Sequence, residues 1–355
     1  MNRRRSSAKG RGAAHNPPNR FETLRLAPDP EADPAAAEDR RPETLFLRDR
    51  SASVVSHNES PDIPYRYSLN PYRGCEHGCA YCYARPTHEY LGFSCGLDFE
   101  TRIVVKPDAP RLLRAQLAAG KIPPRETLTL SGVTDPYQPA ERRFRLTRGC
   151  LKVLAELDQP VCVVTKNHLV TRDADLLSHL ARTGKAAVSL SIASLDPELT
   201  RRLEPRASAP AMRLAAVRAL AAAGVPAGVL VAPVIPGLTD HEIPAILQAA
   251  AAAGALWAGM SIVRLPHSVA DIFADWLERH VPLKRERVLN RIRAFRGGRL
   301  NDSRFGTRLT GSGPEAERLA RWFEVCRRRA GINGPRPAPV FAARKPDPQL
   351  RFEGF

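Results

Sequence analysis

The chain has 355 residues, 43% of them hydrophobic, enough for one large domain with appendages, since α/β barrels run to about 250 residues as a single unit. No uninterrupted apolar run is long enough to cross a bilayer, and no apolar stretch follows the basic start MNRRRSSAKGRGAAHNPP. A membrane span and a secretory leader are therefore not expected, and the cytoplasm is the expected location. Lys and Arg number 54 against 37 acids, a net charge of +17, which points toward a polyanionic partner.

Residues 1–55 mix Arg, Pro, Ala and acids with few large apolar groups and are expected to form a mostly disordered arm. From residue 60 to about 270 short β-branched runs alternate with amphipathic stretches. The runs are YSLNP (67–71), TLTLSGVT (127–134), VCVVTKN (161–167), AAVSLSIAS (186–194), AGVLVAPVI (227–235) and GMSIVRLP (259–266). Helical segments such as LTRGCLKVLAEL and APAMRLAAVRALAAAG lie between them. Such alternation predicts parallel strands joined by right-handed crossovers. Six units are too few for a closed eight-stranded barrel, and no G-x-G-x-x-G follows the first strand. The predicted fold is a partial (β/α)6 TIM-like barrel, with chemistry on the loops that leave the C-terminal strand ends.

The first of these loops, RGCEHGCAYCYAR (73–85), carries Cys75, Cys79 and Cys82 in the order C-x-x-x-C-x-x-C, with no fourth cysteine nearby. A structural zinc site wants four protein ligands, whereas a catalytic centre keeps one position open. Three thiolates at this spacing suit three corners of a [4Fe-4S] cube whose fourth iron stays available. The alternative is a Cys3His zinc site using His77 or His88, in a non-catalytic, zinc- or cluster-stabilised nucleic-acid-binding protein. The other four cysteines, Cys95, Cys150, Cys162 and Cys326, are isolated. They do not form a second cluster motif, and the odd total of seven does not read as a secreted disulfide framework.

This motif after the first strand of a six-fold β/α pattern resembles the radical SAM superfamily. SGVTDPYQPAE (131–141), TK (165–166), SLS (189–191), RRLEPRA (201–207) and APVIPGLTD (232–240) are similar to its spore photoproduct lyase-like branch, often called DNA repair photolyase. The resemblance implies an enzyme that cleaves S-adenosylmethionine reductively on a [4Fe-4S] cluster to give a 5′-deoxyadenosyl radical, fed by an electron donor such as flavodoxin or ferredoxin. It implies Cys75, Cys79 and Cys82 as cluster ligands and Tyr81 near the adenine. Ser131, Thr134 and Asp135 would lie on the methionine and ribose side, Lys166 at the carboxylate and Ser191 at the ribose. Thr134 and Asp135 before Pro136 equally suit a simple turn. The branch also carries a hydrogen-donating cysteine at the end of the second strand. Here Gly132 or Val133 stands there, so thymine-dimer cleavage by that route is not implied, and Tyr137 and Cys162 are the remaining hydrogen-atom candidates.

Residues 271–332 predict a basic helical extension, followed by a Pro-rich tail over 333–355. Between residues 264 and 355 stand 20 basic and 10 acidic side chains. In LKRERVLNRIRAFRGGR, Val288, Leu289, Ile292 and Phe295 share one helical face, and Lys284, Arg287 and Arg291 lie on an adjacent arc. That charge and the family resemblance both point to nucleic acid, DNA more than RNA. Only eight of the 54 basic residues are Lys, so Arg-rich composition contributes to the excess.

Overall fold

The computed structural model describes residues 8–22 and 42–334. Strands are β1 (Leu45–Arg48), β2 (Val55–His57), β3 (Tyr67–Leu69), β4 (Tyr72–Arg73), β5 (Arg102–Val105), β6 (Leu128–Leu130), β7 (Val161–Thr165), β8 (Ala186–Ser191), β9 (Ala227–Val234) and β10 (Ala258–Ile262). The helices used below are α1 (Leu97–Thr101), α2 (Ala109–Ala118), α3 (Ala140–Phe144), α4 (Leu146–Glu156), α5 (Ala174–Ala181), α6 (Pro197–Leu203), α7 (Pro210–Ala222), α8 (Ile243–Ala252), α9 (Val269–His280), α10 (Arg285–Ala294) and α11 (Pro314–Arg329).

The main sheet runs β10-β9-β8-β7-β6-β3-β2. Its members from β3 to β10 are mutually parallel, and β2 closes one edge antiparallel to β3. The register aligns Leu69, Leu130, Val163 and Val188 in one row, all fully buried. All six residues of β8 are buried, as expected of a parallel strand covered on both faces. The fold is therefore mixed α/β around a parallel sheet, with each of the six predicted runs contributing one strand.

A smaller sheet, β1-β5-β4, stands beside it, with β1 parallel and β4 antiparallel to β5. β4 launches the cysteine loop through Gly74, whose φ of 77° favours glycine. The loop thus leaves from this second sheet and not directly from the first strand of the main one.

The expectation of disorder over 1–55 is corrected for the described part of that range. Arg11 donates to the carbonyl of Glu100 at 2.8 Å, and the amides of Gly12 and Ala13 donate to its carboxylate at 3.0 and 2.9 Å. β1 and β2 are paired strands. Composition registers a shortage of apolar groups, but this strap is held by hydrogen bonds to the buried carboxylates of Glu100 and Glu89, which composition does not register. Residues 1–7 and 23–41 of the predicted arm lie outside the described residues, as do 335–355 of the predicted tail.

In the C-terminal extension Val288, Leu289, Ile292 and Phe295 are buried. Leu319, Phe323 and Cys326 of α11 join the core formed by the main sheet. The buried Arg296 guanidinium donates to the carbonyls of Ile262 and Val263 at 3.0 and 2.8 Å. It ties the extension to the end of β10. Of the predicted outward cations, Lys284 and Arg287 are exposed, whereas Arg291 lies 3.6 Å from Asp240 and 3.9 Å from Glu315.

Candidate active site

A cavity of about 330 Å³ opens at the C-terminal ends of the parallel strands. Side chains from β6, β7, β8, β9 and β10 all reach it. Five neighbouring strands spaced about 4.8 Å apart touch one such volume only if the sheet curls around it.

Cys75, Cys79 and Cys82 line this cavity together with Tyr81. From the strand ends it is lined by Ser131, Thr134 and Asp135 after β6, Lys166 after β7 and Ser191 at the end of β8. The fold thus gathers every sequence-predicted ligand and cofactor residue around one space. Among the described residues, no three His, Cys, Asp or Glu side chains are arranged to hold a single metal ion. His88 is fully buried beside the rings of Phe93 and Phe99, and burial pulls it down to about 4.

His77 is committed elsewhere. Its Nδ1 lies 3.4 Å from Asp135 Oδ2 and its Nε2 3.2 Å from Asn167 Nδ2. Burial alone would lower its basicity, but the Asp135 carboxylate and Cys75 outweigh it and hold the ring up to about 10. Asp135 also accepts from the Thr165 hydroxyl at 2.7 Å and from the amides of Lys166 and Tyr137, each at 2.8 Å. Both oxygens are engaged, so Asp135 borders the cavity as the hub joining the cysteine loop to β7. Thr134 serves the same end: its hydroxyl donates to Gly74 O at 2.6 Å and accepts from Gln138, which also receives the Glu76 amide. Both residues line the cavity, with their polar atoms engaged inside the protein.

Lys166 reaches across the cavity floor. Its ammonium donates to Ala232 O at 3.0 Å and lies 3.3 Å from Glu204 and 5.7 Å from the Tyr81 ring centroid. Glu204 also accepts from the Tyr81 hydroxyl and pairs with Arg213. Burial would raise this carboxylate, but Arg213, Lys166 and Tyr81 overcome that and hold it down to about 2. In the sequence Glu204 shows only as one acid inside the basic run RRLEPRA after β8.

A second anchor holds the loop from behind. Arg85, fully buried, pairs with Glu100 and donates to the carbonyls of Cys79, Cys95 and Gly96. The same Glu100 receives Gly12 and Ala13. An ideal Cβ on Gly12 would lie 1.8 Å from Gly78 O, so only glycine lets the strap lie this close to the cysteine loop.

The hydrogen-atom candidates fall away from the cavity. Tyr137 is buried in the main core with its hydroxyl donating to Asp173 at 3.1 Å. Cys162 packs with Ala187 and Trp257, two residues below Val164, which takes the cavity-facing place on the same strand face. Tyr65 and Tyr83 line the cavity instead, and Tyr83 donates to Gly132 O at 2.7 Å.

The donor set fits a cluster bound through three cysteines. Three thiols face one space without a fourth. Burial pushes the thiols of Cys79 and Cys82 up, against the pull of Lys166 on the first and of Arg85 on the second. Metal coordination deprotonates such thiols outright.

The family model described as Radical SAM superfamily matches residues 69–250. An uncharacterised protein of Mycobacterium tuberculosis is 42% identical over 222 residues, 62% of this chain and 65% of that protein. One of Methanocaldococcus jannaschii is 31% identical over 177 residues, 50% of this chain and 63% of that one. The chain thus spans less than two thirds of the length of these relatives. A spore photoproduct lyase mutant with bound AdoMet and dinucleoside spore photoproduct shares the fold, with a TM-score of 0.53 at 20% identity, covering 81% of this chain and 78% of that one. Another mutant of that lyase gives 0.55 at 20% identity over 86% and 84%. Three cysteines at one strand-end cavity and a family model matching over half of the sequence lead to one assignment: the chain belongs to the radical SAM superfamily.

Proposed function

We propose that this chain is a radical SAM enzyme whose curled sheet is a partial (β/α)6 barrel and whose Cys75, Cys79 and Cys82 hold one [4Fe-4S] cluster. The observation that carries this reading is the convergence of those three thiols, without a fourth, on a cavity at the strand ends. When bound, the cluster supplies the electron that splits the sulfonium of S-adenosylmethionine. The chain's own residues build the surroundings. Lys166, aligned by Glu204 and Ala232 O, presents an ammonium for the methionine carboxylate. Tyr81, fixed through Glu204, offers its ring to the adenine. Ser131 and Ser191 offer hydroxyls on the ribose side. Asp135 and Thr134 act by positioning, since their polar atoms already hold His77, Thr165 and Gly74.

Anaerobic reconstitution should give about four irons per chain, and dithionite with S-adenosylmethionine should yield 5′-deoxyadenosine. Cys79→Ala should lose both. Stoichiometric zinc without sulfide would defeat the assignment and favour the non-catalytic, zinc-stabilised reading. A flavodoxin or ferredoxin is the class of reductant that would replace dithionite.

The substrate we propose is nucleic acid, DNA before RNA. It is supported by the exposed Lys284 and Arg287 of the extension, and the fold is shared with a lyase solved with a dinucleoside photoproduct. Phosphate contacts release counterions, so binding should weaken steeply with salt. Binding insensitive to salt would move the assignment to a small-molecule or protein substrate.

A further inference from the structure

Lys166 and Arg264 both line the cavity, and their circumstances differ. Lys166 shares the Glu204 carboxylate, 3.3 Å away, with Arg213. Arg264, just past the end of β10, lines the same cavity and among the described residues makes no ion pair. Its guanidinium lies 4.2 Å from the centroid of the Tyr83 ring. The nearest candidate acid is taken: Asp62 receives Arg308 through two bonds, at 2.8 and 2.6 Å, and the amide of Gly306 at 3.2 Å. Burial lowers the affinity of Arg264 for its proton, opposed by Tyr83 and Asp62 and reinforced by Arg308. A half-buried guanidinium is ordinarily paired with an acid. Here its immediate partner is the Tyr83 ring, and no carboxylate lies within ion-pair distance among the described residues.

The surroundings fix the group in place. Tyr83 is itself held by its hydroxyl bond to Gly132 O, and its ring stays 44% exposed. Gly132 has φ 127° and Ser131 φ 141°, so the loop after β6 is bent where it meets Tyr83. Arg308 and Asp62 form a brace behind Arg264, with Tyr65 of the same segment lining the cavity wall. A planar fork of donors backed by an aromatic ring suits a phosphate or carboxylate approached through two hydrogen bonds.

We propose that Arg264, oriented by Tyr83, is the residue that receives an anionic oxygen of the substrate, and that this group is a backbone phosphodiester next to the reacting nucleotide. This rests on the nucleic-acid reading above. The methionine carboxylate has its own cation in Lys166 on the β7 side. The arrangement makes Arg264 a specificity-determining contact: a substrate lacking the charge leaves this half-buried cation without an anionic partner.

The test uses the full chain, reconstituted anaerobically and loaded with S-adenosylmethionine. Binding is compared for a DNA dinucleotide with a natural phosphodiester and for the same molecule carrying a neutral methylphosphonate. The wild-type chain should prefer the diester by about tenfold or more. Arg264→Gln should bring the two ligands within about twofold, and Arg264→Lys should restore part of the preference. Iron content, the affinity for S-adenosylmethionine and the cluster's reduction potential should be unchanged in both variants. Equal binding of the two ligands by the wild-type chain overturns the proposal, whether or not the variants fold. So does a preference that survives in Arg264→Gln. A shifted potential with the preference intact would assign Arg264 to charge compensation of the cluster, which also overturns it. If neither ligand binds but both longer DNA and RNA are also ignored, the nucleic-acid reading itself has failed, an outcome distinct from the others.

Discussion

The two walls of the cavity treat charge in opposite ways. On the cysteine side every ionic group of the anchor has its partner inside the protein: Arg85 and the strap on Glu100, His77 on Asp135, and Lys166 and Arg213 on Glu204. On the β10 side Arg264 lies over the half-exposed Tyr83 ring and makes no ion pair among the described residues. A buried charge pair gives little net stability but penalises any rearrangement that separates it. The cysteine wall is therefore built to keep one geometry, and the β10 wall is left to be completed by a ligand.

The largest way to break that contrast is at Glu100. Glu100→Ala leaves Arg85 and the amides of Gly12 and Ala13 without their acceptor. Denaturant unfolding should show a loss of roughly 3 to 5 kcal/mol, as for other buried pairs broken on one side, together with weaker iron retention. A loss under about 1 kcal/mol would show that the anchor does not hold the loop.

Next is the response to acid at His88, fully buried against Phe93 and Phe99. Burial depresses it to about 4, below its unfolded value of about 6.5. Protons therefore favour the unfolded chain. The stability tied to its neutral form is present above pH 6.5 and is lost as pH falls from there toward 4, on the order of 3 kcal/mol. His88→Phe should be more acid-resistant than the wild type across that window. Identical slopes would place the acid sensitivity elsewhere.

Gly12→Ala comes third. Its methyl would meet Gly78 O at 1.8 Å, so the strap or the loop must move, at about 1 to 3 kcal/mol for an overpacked contact. Lower thermal stability with slower iron incorporation is the expected result. An unchanged melting temperature would mean that the strap swings away freely.

The smallest effects belong to the outer face of α10. Replacing Lys284 and Arg287 by Ala should lower the log-log salt slope of DNA binding by about two. Adding Arg291→Ala should change it by less than one further unit, because Asp240 and Glu315 already share that charge. An equal contribution from all three would mean that Arg291 leaves those acids on binding.

Much of this architecture was legible in the sequence. The alternation of β-branched runs with amphipathic segments dictated six parallel strands, because a strand covered on both faces must be apolar along its whole length. The C-x-x-x-C-x-x-C triplet announced a three-thiol site, because ligand number is written directly in residue type and spacing. Ser131, Thr134, Asp135, Lys166 and Ser191 are singled out by the family resemblance, at loops that the fold's polarity places at the strand ends.

What tertiary structure alone decided was the partner of each charge. Nothing local to Asp135 says that it holds His77 and Thr165 and the amides of Lys166 and Tyr137. Nothing in RRLEPRA says that Glu204 sits between Tyr81, Lys166 and Arg213. The strap at residues 8–22 reads as disordered because its partners are distant in sequence, among them Glu100, 87 residues from Ala13, and Glu89 with Arg20. Tyr137 and Cys162 read as reactive by type but are buried in packed core. Periodicity and spacing are local properties of a chain, and so survive in its sequence. Pairing of buried charges depends on which loops the folded sheet brings within a few ångströms, and that includes Arg264, whose missing partner is visible only once its neighbours are in place.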